Sequence, residues 1–134
     1  MKWPAPMIVL AIVLSGCGLN VQEPDLFLLT RSGGGPRLTL LVNDGGTIRC
    51  NGRSARSLPD PLLLQARDLA AALVGDAQRN LRIPAPPNSV VRYRVRLQGG
   101  SISFPDTAAT THPNLAQLEL FTVRAAQQAC GLGG

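Results

Sequence analysis

Arg92, Arg94 and Arg96 stand at alternate positions, and theirs is the spacing in this chain that most directly implies chemistry. In an extended strand, residues two apart point to the same face about 6.6 Å from one another, so the three guanidinium groups form a row. Such a row either faces water or grips acidic groups on a partner. The other reactive side chains do not converge in this way. His112 stands between Thr111 and Pro113 with no acid or cysteine beside it, a place suited to a helix cap or a solvent-facing ring. Asp60, Asp68, Asp76, Asp106 and Glu119 are spread over two helical patterns and loops, as surface charges are. Lys2 is the only lysine, so the chain beyond it holds no Ser–Lys dyad. A single His leaves a metal site without its usual donors. Catalysis needs a poised acid, base or nucleophile, and these spacings form none. The chain reads as a non-enzyme with no metal and no cofactor.

The three cysteines are of two kinds. Lys2 precedes an apolar run, Met7 to Leu14, that ends in Leu14-Ser15-Gly16-Cys17. The run is far shorter than the roughly 20 residues of a spanning helix, and small residues at its end mark a cleavage position. This segment resembles the signal peptide and lipobox of bacterial lipoproteins. The resemblance implies cleavage before Cys17, alkylation of its thiolate by a diacylglyceryl group, and a domain held by lipid on the extracytoplasmic face of the cell membrane. Residues 1–16 are then signal peptide, 17–25 the lipidated Cys and tether, 26–130 one domain and 131–134 a tail. The 118 residues left after cleavage carry twelve Arg and eight carboxylates. That positive balance favours anionic lipid or acidic polymers. Nucleic acid is not the expected partner, because the arginines are scattered and the chain has one Tyr and three Phe with which to stack bases. Cys50 and Cys130 remain, and in an oxidising compartment two leftover thiols read as one disulfide.

These residues must be positioned by a small set of elements. Leu26 to Arg31 is strand-like, followed by a glycine-rich turn at Ser32 to Pro36; that turn lacks the spacing of a phosphate loop. Leu38, Leu40 and Val42 then alternate with Thr39 and Leu41, and Asn43-Asp44-Gly45-Gly46 signals a hairpin. The returning strand places Ile48 and Cys50 on one face and Thr47 and Arg49 on the other. Pro59 opens a helical stripe of Leu62, Ala66, Leu69 and Leu73, which Gly75 is expected to stop. A stiff loop with Pro84, Pro86 and Pro87 follows. Val91, Tyr93, Val95 and Leu97 alternate with the arginine row, and Gln98-Gly99-Gly100 turns the chain into a strand with Ile102 and Phe104 inward. Pro113 opens a second helix with Leu115, Leu118, Thr122, Ala125 and Ala129 on one face.

The two halves align. An offset of 54 maps Gly46 on Gly100, Ile48 on Ile102, Cys50 on Phe104, Pro59 on Pro113, Leu64 on Leu118, and Ala71 and Ala72 on Ala125 and Ala126. This reads either as a duplicated hairpin-plus-helix unit or as two similar units of separate origin. Both lead to one α+β architecture: a twisted antiparallel sheet of four to five strands with two helices on one face.

The opening Arg31-Ser32-Gly33-Gly34 resembles the Arg-x-Gly-Gly start of emfourin-type inhibitors of thermolysin-like metalloproteases. The first helix, the Pro-rich loop and YRVRLQGGSISFPD before a final helix follow that family's order of elements over roughly residues 26 to 128. The lipobox and the cysteine pair depart from it. The resemblance implies a protein-binding module with a protease as partner, and it marks Arg31, Gly33 and Gly34 as motif positions. The expected contact surfaces are the glycine turn after Arg31 and the face bearing Arg92, Arg94 and Arg96. The alternative is a structural or small-ligand-binding envelope lipoprotein.

Overall fold

The computed structural model describes residues 25–132, so the segment read as a signal peptide and Cys17 lie outside the described residues. Alternation of apolar and polar side chains builds a six-stranded sheet. In chain order the strands are β1 (Asp25–Ser32), β2 (Leu38–Asn43), β3 (Thr47–Cys50), β4 (Arg56–Ser57), β5 (Arg92–Leu97) and β6 (Gly100–Pro105). Their spatial order is β4-β3-β2-β1-β5-β6, every named pair antiparallel. Inward positions of the five longer strands, among them Leu29, Leu40, Ile48, Val95 and Phe104, are fully buried. Among the described residues no helix lies on the opposite face of the sheet.

The helices are α1 (Asp60–Ala72), α2 (Val74–Gln78) and α3 (Pro113–Gln128), with a 3-10 turn at Asp106–Thr110. The stripe Leu62, Ala66, Leu69 and Leu73 is buried as its spacing predicts. Gly75 does not end the helical path. After a break at Leu73, α2 runs through Gly75 and buries Ala77 completely. A helical glycine costs about 1 kcal/mol against Ala, and burial of Ala77 and Leu73 on either side of it offsets that cost. In α3, Leu115, Leu118, Phe121, Thr122 and Ala125 face the sheet. The buried Thr122 hydroxyl donates to the Leu118 carbonyl at 2.8 Å, so no orphan polar group is left there. Phe121 meets Phe27 edge-on with ring centres 5.7 Å apart, and Tyr93 stacks on Phe104 at 5.1 Å. Among the described residues no helix is long and apolar enough to cross a membrane.

Cys50 and Cys130 form a disulfide, with Cα atoms 5.9 Å apart. It ties β3 to the residues just past α3. Arg56 of the edge strand reaches the Ala129 carbonyl there at 3.4 Å, placing a cation at the negative end of α3.

The two aligned halves are not copies of one unit. β2 and β5 both run antiparallel to β1, on opposite sides of it, with the helices on one common face. From β2 the hairpin therefore turns one way across the sheet and from β5 the other. The two hairpin-plus-helix units are mirror images, and no rotation superimposes them. Burial agrees: Leu64 is 59% exposed where its counterpart Leu118 is fully buried. Ala71 and Ala72 are exposed, whereas Ala125 and Ala126 are buried. The common offset reflects the same local pattern, used twice with opposite hand.

Candidate functional site

The uncovered sheet face holds the arginine row. Along β5, Arg92, Arg94 and Arg96 are exposed while Tyr93 and Val95 are buried. Cross-strand register gives each arginine defined neighbours on the same face. Arg92 lies between Ser32 and Pro105, Arg94 between Thr30 and Ser103, and Arg96 between Leu28 and Ser101. Two further arginines join them, and neither belongs to the alternating segment. Arg82 is carried by residues 81–83, which dock on the outer edge of β6 as a short parallel bridge. The Ser103 N–H donates to the Leu81 carbonyl at 3.0 Å and the Ile83 N–H to the Ser103 carbonyl at 2.9 Å. Arg37 follows the glycine turn.

These five arginines line one cleft of about 440 Å³, and the described residues of its walls include no carboxylate. The ion pairs of the described residues, Arg67 with Asp44 and Arg79 with Asp76, lie elsewhere. A guanidinium stays charged at any physiological pH, so the cleft is a fixed concentration of positive charge that focuses its field outward. Its chemistry is anion binding, with forked donors matched to carboxylate or phosphate oxygens. Arg82 was within reach of sequence reading: Leu81-Arg82-Ile83 alternates before Pro84 as a strand does, and three residues alone gave too short a pattern.

Arg31 is on the other side of the sheet. It pairs across strands with Tyr93 and Leu38, both inward-facing. Its guanidinium lies by the Tyr93 hydroxyl, whose pKa is raised by burial and by Glu119, with Arg31 opposing the rise. The structure thus separates Arg31 from Arg92, Arg94 and Arg96. The glycine turn, an expected contact surface, is exposed, yet it is tied to the fold. Gly33 has φ +86°, and a Cβ there would lie 2.6 Å from the Val90 carbonyl oxygen. Gly34 has φ +68° and sits against the side chains of Val90 and Val91. Asp106 holds that supporting segment in place. Its carboxylate accepts from the Ser89 hydroxyl at 3.0 Å, from the Val90 N–H at 3.3 Å and from the Thr107 N–H at 3.0 Å. Burial raises the Asp106 pKa, but the bonds from Ser89, Val90, Val91 and Thr107 together outweigh it and leave the carboxyl below its ordinary value.

Glu119 departs from its reading as a surface charge. It lies on α3 one residue past the buried Leu118, and its Oε2 is buried with no hydrogen-bond partner among the described residues. Burial, with the nearby Asp106 charge, pushes its pKa up to about 7. Between the ordinary glutamate value of 4.5 and about 7, the folded protein keeps a proton that the unfolded chain releases. Stability is therefore highest below the unfolded value and falls as pH rises through this window. Glu119→Gln should flatten the fall and raise stability at about pH 8 by on the order of 1–2 kcal/mol, allowing for solvent that reaches part of the side chain. Urea unfolding at acid and alkaline pH measures this, and an unchanged pH slope in the variant would assign the effect to another group.

His112 stands at the start of α3, but its ring makes no capping bond and instead meets the Thr111 hydroxyl at 2.9 Å. Among the described residues no three His, Cys, Asp or Glu side chains group closely enough to share a metal ion. Comparison with family profiles, with characterised proteins and with solved structures finds no match for this chain.

Proposed function

We propose that the chain is a lipid-tethered, extracytoplasmic protein-binding module that meets an acidic protein surface with its arginine-lined sheet face. The observation that carries this reading is the cleft itself: five arginines on a face that none of the described helices covers, with no carboxylate among its described lining residues. A two-layer domain buries one face of its sheet and has no structural need for concentrated charge on the other. The resemblance at Arg31, Gly33 and Gly34, and in the order of elements, makes thermolysin-like metalloproteases the first partners to test. The anchor is Cys17, which keeps the face within reach of partners at the membrane.

Substituting Arg92, Arg94 and Arg96 together by Gln should leave the melting temperature nearly unchanged, because exposed charges contribute little to stability. Partner binding should weaken by about 1–3 kcal/mol. Titration against a thermolysin-like protease, and against proteins recovered from the native envelope, provides the measurement. A folded triple variant with wild-type affinity rules this face out as the contact. For the anchor, Cys17→Ala should abolish acyl labelling and leave unprocessed precursor; membrane retention of that variant without label refutes the lipid assignment.

A further inference from the structure

Within the arginine face the geometry is uneven. Across the strands runs a row Thr30, Arg94, Ser103, Arg82, set by the pairing of β1 with β5, of β5 with β6, and of β6 with residues 81–83. Arg94, Ser103 and Arg82 also line a second, adjoining cleft of about 340 Å³. The two clefts therefore meet over these three residues. Ser103 is held from both sides, by β5 and by the bonds of its backbone to Leu81 and Ile83. Its hydroxyl makes no hydrogen bond among the described residues, and neither Arg94 nor Arg82 is ion-paired there. Neighbouring strands lie about 4.8 Å apart, so Arg94 and Arg82 flank Ser103 from backbones about 10 Å apart, a span their long side chains close over an oxyanion.

We infer that Arg82, Ser103 and Arg94 form an anchor subsite for one carboxylate of an extended acidic peptide segment, with Arg92 and Arg96 taking the acidic groups on either side. This rests on the protein-binding reading above and adds the chemistry of the partner. An extended segment carries its i and i+2 side chains about 6.6 Å apart on one face, the spacing of the arginines along β5. The site is a cleft, and a narrow chain enters a cleft where a planar bilayer does not.

The test uses the full chain and short peptides. One peptide has Glu at alternate positions separated by Thr, and a second has the same composition with its Glu residues contiguous. Inorganic phosphate and phosphatidylglycerol vesicles serve as the competing ligands. The alternating peptide should bind at least about threefold more tightly than the contiguous one. Arg94→Gln and Arg82→Gln should each weaken it about tenfold and Ser103→Ala about threefold, as loss of charged and neutral hydrogen bonds does. Arg124→Gln on the outer side of α3, away from the cleft, should cost less than about twofold, with all variants melting as the parent does. Equal losses at Arg124 and Arg82, or no preference between the peptides, would overturn the anchor in favour of a diffuse positive field. Binding confined to phosphate or to vesicles would overturn the peptide. If the native partner is lost by the triple Arg92, Arg94, Arg96 variant but kept in full by Arg82→Gln and Ser103→Ala, the anchor fails while the protein-binding reading stands. If the triple variant keeps the partner, the underlying reading fails.

Discussion

Replacing Cys50 and Cys130 together by Ala is expected to lower the unfolding free energy by about 4 kcal/mol. The bond joins residues 80 apart in sequence, and closing a loop of that size restricts the unfolded chain by about this much. Both sulfurs are buried, so the loss of packing adds to the effect rather than opposing it. Against a typical total of 5–15 kcal/mol, about 4 kcal/mol is a large share. Denaturant titration of the oxidised protein and the double variant gives the difference directly, provided the slope with denaturant stays the same. A loss below about 1 kcal/mol would mean that the docking of α3 already imposes the restraint. The bond also requires an oxidising compartment to persist, as the proposed extracytoplasmic location supplies.

Gly100→Ala is expected to cost about 3 kcal/mol, through collision rather than through lost contacts. The β5–β6 turn rests on the end of α2, and a Cβ on Gly100 would lie 2.0 Å from the Ala77 carbonyl oxygen and 2.7 Å from Asn80 Oδ1. Ala77 is fully buried, so its backbone has nowhere to retreat. Asn80 Oδ1 meanwhile accepts from the Ser101 N–H at 3.1 Å, a bond the intruding methyl would break. The neighbouring Gly99→Ala meets only the Gln78 side chain at 3.2 Å, and should cost less than about 1 kcal/mol. Thermal melts of the two variants separate the cases. Residues 81–83 begin one position after Asn80, so Gly100→Ala should also shift Arg82 and weaken anion binding.

Patterns with a regular period were legible before any coordinates. Leu38, Leu40 and Val42 announced their buried face by alternation, as did Leu62, Ala66, Leu69 and Leu73 by helical spacing. The pairing of Cys50 with Cys130 followed from counting. What escaped depends on neighbours distant in the chain. Arg56 and Ser57 are both exposed and have no strand pattern of their own; they form β4 because Thr47 and Ile48 offer an edge. Gly75 looked like a stop because its propensity is poor, and the sheet's need to cover β6 with Ala77 overrode it. For the candidate site, the row on β5 was read from period two, while Arg82 and Arg37 were placed beside it by tertiary contacts. Arg31 was read as part of the glycine turn, and strand parity puts it opposite Tyr93, on the inner face.

β1 lies at the centre of the sheet although it comes first in the described chain, and its two long edges are filled at different times. Leu28 pairs with Leu41 soon after it is made, but its other edge waits for Arg96. For a polypeptide that emerges amino terminus first, the unfilled edge of β1 is a sticky template for foreign strands through most of the chain's appearance. The proline-rich stretch before β5, with its polar, stiff backbone, is the last barrier to be passed before that edge closes. A truncated product ending near Pro87 would keep this edge open permanently and should self-associate, whereas the complete chain shields it with the strand that carries the arginines.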